Sequence, residues 1–189
     1  PLSSIEAARI GFRPVTADDY PLLESWLNAP HWREWWGEPE TELGYIRDMV
    51  EGRDTTRPFL FMLDNEPAGY IQVWTIADHL KEPWLSEAPW MSRVPAESVG
   101  VDIGIGEAAK LSRGLGSTVV RLFAERLSAE GHETILIDPD ATNLRAIRAY
   151  EKAGFRKLIV SRESSGDSET LIMKFARSGV QDESRGQND

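Results

Sequence analysis

The chain has 189 residues, of which 41% are hydrophobic and 28% charged, and it contains no cysteine. That length and composition fit one globular domain, and the absence of cysteine excludes disulfides, thiolate metal sites and a cysteine acyl-enzyme. The formal net charge of −10 disfavours nucleic acid as a partner, and the lack of a membrane-length apolar run or a signal-peptide pattern predicts a cytoplasmic protein without a membrane partner.

The first half of the sequence predicts a strand over residues 8–15 and helices over residues 16–27 and 41–52. Residues 57–76 are predicted to form a pair of strands. The paired strands are joined by a tight turn at Asp64–Asn65. Three tryptophans in the segment HWREWWG follow the first helix, and they fill either a core or the wall of a binding site. Residues 77–96 are rich in proline and tryptophan, show no periodicity and are predicted to be a loop.

The second half predicts a strand, a helix, a strand, a helix and two strands, over residues 97–106, 113–131, 134–138, 142–154, 155–163 and 169–176. The first of these helices has the clearest apolar stripe in the chain, and Thr142 is the expected N-cap of the second. The order β-α-α-β-β-β-α-β-α-β-β predicts an α/β (α+β) fold with one main sheet flanked by helices. We expect one domain over residues 1–177 and a disordered acidic tail over residues 178–189.

The glycine-rich segment RGLGS stands where a strand and its loop enter the long helix. Gly114 and Gly116 have no Cβ, so backbone N–H groups there can approach a ligand, and a helix N-terminus favours phosphate. Arg113 adds a cation beside them. The segment alone fits either a phosphate site or a glycine-rich turn that starts a helix. No Gly-Lys pair exists for a P-loop, and the residues after GIGEAA do not form the amphipathic helix of a dinucleotide fingerprint.

A second motif, IDPDATNLRAIRAYEKAGF, joins a strand end to a helix. Asp138 ends the strand, Asn143 opens the helix, and Tyr150 lies about two turns later on nearly the same face. Together with the glycine-rich segment and the stretches WLNAPHWREWWG, EPAGYIQVW and VDIGIGE, this motif resembles the GNAT family of acyl-CoA-dependent N-acetyltransferases. The likeness is greatest to aminoglycoside 6′-N-acetyltransferases and to acetyltransferases of siderophore amines. It implies a GNAT-type fold with a mixed, mostly antiparallel sheet.

The resemblance implies that acetyl-CoA is the co-substrate. The residues expected to bind its pyrophosphate and pantetheine arm are Ile103, Gly104, Ile105, Arg113, Gly114, Leu115, Gly116, Ser117 and Asn143. One departure from the family is Leu111, where its members place Arg or Gln, and we expect the backbone N–H groups of the loop to compensate. The three histidines of the chain are scattered without metal-ligand spacing, so no metal site is predicted.

The resemblance also implies two catalytic residues. Asp102 would accept the proton of the attacking amine, directly or through water, and would hold the ammonium group, while Tyr150 would protonate the departing thiolate of CoA. From the residues alone, Asp102 could instead be an ion-pair partner, Tyr150 a core residue and Asp138 the cap of a turn. The acceptor side is expected to be lined by Trp36, Tyr70, Gln72, Asp102 and Asp138.

The expected acceptor is a primary amine on a small cationic molecule, foremost an aminoglycoside-type amino sugar, which attacks directly in a ternary complex. The aromatic and acidic residues of HWREWWG and DHLKEPWLSEAPW favour an ammonium-rich ligand. The alternatives are a siderophore-type or polyamine-type amine, a protein N-terminus, and an acyl-CoA sensor without catalytic activity. The sequence leaves both a monomer and a homodimer open.

Overall fold

The computed structural model describes residues 5–162 and 168–176. These residues form one seven-stranded sheet with the strand order β1-β2-β3-β4-β5-β7-β6. The strands are β1 (Ile10–Pro14), β2 (Arg57–Leu63), β3 (Glu66–Thr75), β4 (Val99–Ile105), β5 (Ile135–Ile137), β6 (Phe155–Arg162) and β7 (Glu169–Phe175). Every neighbouring pair is antiparallel except β4 and β5, which run parallel. The prediction of a mixed, mostly antiparallel sheet is confirmed.

The helices of the described residues are α1 (Tyr20–Leu27), α2 (Pro30–Arg33), α3 (Pro39–Val50), α4 (Ile76–His79), α5 (Trp84–Glu87), α6 (Leu115–Ala129) and α7 (Leu144–Ala153). The four longer helices and the strands follow the predicted order. Within residues 5–162 and 168–176, no helix is both long and apolar enough to cross a membrane. The predicted tail over residues 178–189 lies outside the described residues.

The prediction of a loop over residues 77–96 was wrong. The segment contains the end of α4, the whole of α5 and a 3-10 turn over Pro89–Arg93. Each of these elements has four or five residues, which is too short to display a hydrophobic period along the sequence.

The turn between β2 and β3 has the conformation that its residues predict. Asp64 and Asn65 both adopt left-handed backbone angles, with φ of 51° and 64°. Two consecutive positive φ angles are what a tight hairpin turn needs, and Asp and Asn tolerate them better than most residues.

The sheet is buried on both faces. On one face, Leu60 and Tyr70 pack against α1 and α3. On the other face, Phe61 and Ile71 belong to the core that contains Phe123 of α6. Adjacent strand residues therefore enter different cores, as the two-residue period of a strand requires.

The candidate site lies where β4 extends beyond the end of its neighbour β5. Val99–Val101 pair with Ile135–Ile137, and β5 ends there. The remainder of β4, residues 102–105, continues along β3. No other strand of the described residues pairs with this remainder on its β5 side, so the sheet opens at that point.

Candidate active site

A cavity of about 920 Å³ lies at this opening of the sheet. Its walls come from the end of β4, the start of α6, one face of α7 and the segment that contains α2. The volume is at the upper end of the range for small-molecule sites. The predicted site residues that line it are Trp36, Ile103, Gly104, Ile105, Arg113, Gly114, Gly116, Ser117, Asn143 and Tyr150.

The backbone of β4 contributes a donor and an acceptor to this cavity. The Ile105 carbonyl accepts hydrogen bonds from His31 Nε2 and Trp32 Nε1, each 2.8 Å long, on the side of β4 away from β3. Because hydrogen-bonding direction alternates along an antiparallel strand, the N–H and C=O of Ile103 point to the same side. That side is where β5 has already ended.

The three tryptophans of HWREWWG were predicted to fill a core or to line a binding site, and Trp32 belongs to the core. Its side chain is 1% exposed and lies against Gly104, where a Cβ would overlap the indole ring. Trp36 is half-buried, lines the cavity and packs against Trp32 with ring centroids 5.0 Å apart. Trp35 is 41% exposed and lies at the rim. All three tryptophans thus border the cavity, and Trp32 in addition belongs to the core and supports the β4 strand.

The N-terminus of α6 is an uncapped set of backbone donors. Gly114 is the N-cap with φ of 79°, and its carbonyl accepts the first helical hydrogen bond, from Thr118 N–H at 3.2 Å. The first N–H groups of a helix have no intrahelical partner, and here no side chain caps them. Gly116 and Ser117 line the cavity, whereas the Leu115 side chain is buried in the core and only its backbone can face a ligand. This geometry favours an anion at the start of α6.

One face of α7 forms the opposite wall and carries Asn143 and Tyr150, as their spacing predicts. Asn143, not Thr142, is the N-cap of α7, because Asn143 Oδ1 accepts the Ala146 N–H at 3.3 Å. The Thr142 hydroxyl instead donates to Asp140 Oδ1 at 2.6 Å. The prediction of Thr142 as the cap was therefore wrong.

Asp102 is a half-buried carboxylate held by neutral donors. Its Oδ2 accepts the Gln72 Nε2–H at 2.8 Å across the β3–β4 pairing, and Trp74 also donates to it. Burial raises the pKa of Asp102 above its ordinary value, although these hydrogen bonds and nearby His79 act in the opposite direction. Asp102 forms no salt bridge with any described residue, and it is not itself among the residues that line the cavity, although its neighbour Ile103 is.

Tyr150 is buried and presents its side chain to the cavity. Burial raises the pKa of Tyr150 well above its ordinary value, and the charges of Asp102 and Asp138 raise it further. The phenol therefore keeps its proton at neutral pH and is a hydrogen-bond donor. The influence of both aspartates indicates that Tyr150 lies near the middle of β4, where Asp102 stands, and near Asp138, the residue after β5.

The profile of the acetyltransferase (GNAT) domain family matches residues 15–160. The aminoglycoside N(6′)-acetyltransferase type 1 of Klebsiella pneumoniae is 34% identical over 155 residues, which are 78% of this chain and 74% of that protein. The chain belongs to the acetyltransferase (GNAT) family. Two solved structures of the aminoglycoside acetyltransferase AAC(6′)-Ib, one with paromomycin and acetyl-CoA and one with coenzyme A and kanamycin, are 31% identical to this GNAT chain. Each has a TM-score of 0.75 over 89% of this chain, and the match covers 93% and 95% of the solved chains.

The acceptor side of this GNAT domain differs from the prediction at Tyr70. Its side chain has no exposed surface and lies in the core under α1–α3, so it does not contact a ligand. The Tyr70 hydroxyl donates to Gln72 Oε1 at 2.6 Å and reaches Asp102 only through that amide. Gln72 is half-buried beside Asp102, and Asp138 is half-buried beyond the end of β5.

Sequence reasoning missed Glu42, a carboxylate of α3 that interacts with Asp102. Burial raises the pKa of Glu42, the charges of Asp102 and Glu87 raise it further, and the Gly37 N–H hydrogen bond opposes this shift. Asp102 and Glu87 thus lie close enough to Glu42 to affect its charge, and Glu42 lies beside Gly37, the residue after Trp36, but none of the three carboxylates is among the residues that line the cavity. Nothing in the sequence spacing relates the first turn of α3 to the middle of β4, so the contact is visible only in three dimensions.

Sequence reasoning also missed a cationic face on α7 of the GNAT domain. Arg145, Arg148 and Lys152 line the cavity with Arg113, and none of the four forms a salt bridge within the described residues. Their spacing of three and four residues on a helix was the signal that could have revealed this face. In a chain of net charge −10, these cations make the donor side of the cavity attractive to a polyanion.

Proposed function

We propose that this protein transfers the acetyl group of acetyl-CoA to a primary amine of an aminoglycoside-type amino sugar. The observation that carries the proposal is the composition of one cavity, which brings together the uncapped start of α6, the free side of Ile103 and the Tyr150 hydroxyl. The named relatives that act on aminoglycosides support the choice of acceptor. The transfer is direct, in a ternary complex, which agrees with the absence of a cysteine for an acyl-enzyme.

The donor side fits acetyl-CoA. The N–H groups of Leu115, Gly116 and Ser117 bind the pyrophosphate, and Arg113 with the cations of α7 contributes long-range attraction. The N–H and C=O of Ile103 pair with the amide groups of the pantetheine arm as an added strand would. An N–H of this β4 stretch polarises the thioester carbonyl, where negative charge develops as the amine attacks. Asn143 supports the arrangement by capping α7 at the cavity wall.

The acceptor side fits an amine that must lose a proton. An alkylamine has a pKa of about 10.4 in water, so it arrives as an ammonium ion that Asp102 attracts. Because burial raises the pKa of Asp102, its carboxylate is a stronger base than an exposed Asp, and it receives the proton directly or through water. The neutral amine then forms the C–N bond.

Collapse of the resulting oxyanion breaks the C–S bond and releases a thiolate. The Tyr150 hydroxyl donates a hydrogen bond to the sulfur. The raised pKa of Tyr150 makes complete proton transfer unfavourable in the ground state, since an ordinary thiol has a pKa of about 8.5. Tyr150 therefore stabilises the thiolate by hydrogen bonding as it forms, and solvent completes the proton balance.

The acceptor class follows from the charges on that side. The interacting carboxylates of Glu42, Asp102 and Glu87 favour a ligand with several ammonium groups over a single amine. Trp36 offers an aromatic face beside them. A kanamycin-type amino sugar combines a ring with several ammonium groups and matches both features.

The acceptor is tested by mixing the protein with acetyl-CoA and a panel of amines and measuring free thiol. The panel contains kanamycin, putrescine, a lysine ester and a short peptide with a free N-terminus. We expect kcat/KM for kanamycin to exceed that for the other amines by at least about 100-fold, because only kanamycin engages several carboxylates. Faster release with putrescine or the peptide would contradict the acceptor assignment, and no release with any amine would contradict the enzymatic function.

Gly116→Ala tests the donor site without damage to the fold. A Cβ at Gly116 meets only Ile105 Cδ1 at 3.5 Å, an ordinary contact, and the residue is helical. We expect stability to stay equal or to rise by up to about 1 kcal/mol, since Ala is a better helix residue than Gly. The added methyl group faces the pyrophosphate, so KM for acetyl-CoA should rise about tenfold in steady-state assays.

The control for that variant is Gly44→Ala, where the same substitution on α3 meets nothing within 4 Å. Its KM for acetyl-CoA should equal that of the unmodified protein. An unchanged KM in Gly116→Ala would remove α6 from the donor site.

Trp36→Ala tests the aromatic wall on the acceptor side. Loss of an aromatic face next to an ammonium group is worth about 1–2 kcal/mol, so KM for the amine should rise roughly 5- to 30-fold. KM for acetyl-CoA in the same variant serves as the internal control and should stay within about twofold. An equal rise in both constants would show that Trp36 supports the core and not the acceptor.

A further inference from the structure

A chain of two partly buried hydrogen bonds leads from the core to the Asp102 carboxylate. The Tyr70 hydroxyl donates to Gln72 Oε1 at 2.6 Å, and Gln72 Nε2 donates to Asp102 Oδ2 at 2.8 Å. Gln72 lies directly opposite Asp102 in the β3–β4 register, and Tyr70 is on the same face of β3, two residues earlier. Tyr70 itself has no exposed surface.

The donors and acceptors available fix the direction of this hydrogen-bond chain, in which each group donates toward Asp102. A Gln amide offers an acceptor at one end and donors at the other. While the Tyr70 O–H occupies the acceptor end, the donor end of Gln72 faces the ionised Asp102. A flipped amide would set its oxygen against the carboxylate, which is repulsive. The Tyr70 hydroxyl thus selects one orientation of the Gln72 amide.

We propose that Tyr70 is a positioning residue that touches no substrate. Through Gln72, its hydroxyl keeps the Asp102 carboxylate in the ionised form, which attracts the ammonium group and accepts its proton. This inference rests on the proposed role of Asp102. It assigns to Tyr70 a different role from the substrate contact that the sequence predicted.

Protonation of Asp102 at Oδ1 leaves Gln72 Nε2 donating to a neutral oxygen, a weaker acceptor than a carboxylate, and protonation at Oδ2 reverses the hydrogen-bond chain. The Asp102 O–H then donates to Gln72 Oε1, Gln72 Nε2 donates to the Tyr70 oxygen, and the Tyr70 O–H turns to Met49 Sδ, which lies 3.6 Å away. A thioether is a weaker acceptor than an amide oxygen, so the reversed chain is the poorer one. The Tyr70 hydroxyl therefore favours the ionised carboxylate over the protonated acid.

Other titratable groups lie near Tyr70 and Asp102, the two ends of this hydrogen-bond chain. Glu42 of α3 interacts with both Asp102 and Tyr70, His79 of α4 interacts with Asp102, and Asp54 interacts with Tyr70. Tyr150 of α7 interacts with Asp102 from the cavity side. All of these groups remain in a Tyr70→Phe protein, so a change in pH dependence there is due to the lost hydroxyl.

The test is the pH profile of kcat/KM for the amine in Tyr70→Phe. We expect the acid limb to move to higher pH by about 0.5–1 unit, because the carboxylate loses support comparable to one hydrogen bond. KM for acetyl-CoA should not change. The matched control is Tyr20→Phe, because the Tyr20 hydroxyl is buried beside the same core and has no hydrogen-bond partner among the described residues. Its acid limb should coincide with that of the unmodified protein.

A double-mutant cycle tests the route through Gln72. In a Gln72→Leu background, Tyr70→Phe should cause no further shift of the acid limb, since the connection is already broken. An unshifted limb in Tyr70→Phe alone overturns the inference. So does a full additional shift in the Gln72→Leu background.

Failure of the inference is distinguishable from failure of the proposed function. If the unmodified protein acetylates no amine, the proposed function is wrong. The hydrogen-bond chain from Tyr70 to Asp102 is then tested by carbon-13 NMR titration of the Asp102 carboxyl group. That titration needs no turnover and should move to higher pH in Tyr70→Phe. An identical titration in both proteins overturns the positioning role whatever the enzyme acts on.

Discussion

Asp102→Asn is expected to lower kcat/KM for the amine by about 10²–10⁴-fold and to leave KM for acetyl-CoA within about twofold. Asn has the shape of Asp and its oxygen can still accept the Gln72 Nε2–H, but it neither takes a proton nor attracts an ammonium group. Steady-state thiol release with each substrate varied in turn measures both constants. A variant with unchanged kcat/KM would show that Asp102 neither holds nor deprotonates the amine.

The same substitution has a stability signature whose sign is fixed by the raised pKa of Asp102. In the unfolded chain this carboxyl group titrates near its ordinary value of about 3.9. Because the folded pKa is higher, the folded state binds more protons in the window between the two values, and stability falls as the pH rises through it. Asp102→Asn removes that loss, so its free energy of unfolding should exceed that of the unmodified protein at pH 7. The difference should shrink toward pH 4, which urea titrations at the two pH values can measure.

Tyr150→Phe is expected to lower kcat by about 100-fold, since the forming thiolate loses its hydrogen-bond donor. Phe fills the same space on α7, so KM for acetyl-CoA should stay within about twofold. Steady-state kinetics with a saturating amine measure kcat, and Tyr20→Phe again provides a tyrosine control outside the cavity. An unchanged kcat would remove the donor role, and an equal loss of acetyl-CoA affinity would indicate that the hydroxyl binds the ground state.

Much of the fold could be predicted because its signals are local. The left-handed pair Asp64–Asn65 predicts its hairpin, and the apolar stripe of α6 is followed by Gly131, whose φ of 103° suits the position just after a helix C-terminus. The single-turn helices α4 and α5 could not be predicted, since four residues carry no period. Thr142 and Asn143 are both good caps, and only the hydrogen bond to Ala146 distinguishes them.

That most of the residues proposed for the donor side line one cavity could be predicted for the same reason. Its loop and helix start are one continuous segment, and Asn143 and Tyr150 share a face of one helix. The acceptor side depends on contacts between distant parts of the chain. His31 is 74 residues from Ile105, and Gln72 is 30 residues from Asp102. The alternation of β3 puts Tyr70 and Gln72 on one face but does not reveal that α1–α3 cover Tyr70 completely.

The most direct test of the account is product analysis after incubation of the protein with acetyl-CoA and kanamycin. The account predicts one equivalent of free thiol for each acetyl group transferred, and NMR of the purified product should place that acetyl group on a primary amine. Asp102→Asn, assayed in parallel, should form product at least about 100-fold more slowly. Thiol release without acetylated kanamycin, or an acetyl group on a hydroxyl oxygen, would contradict the account.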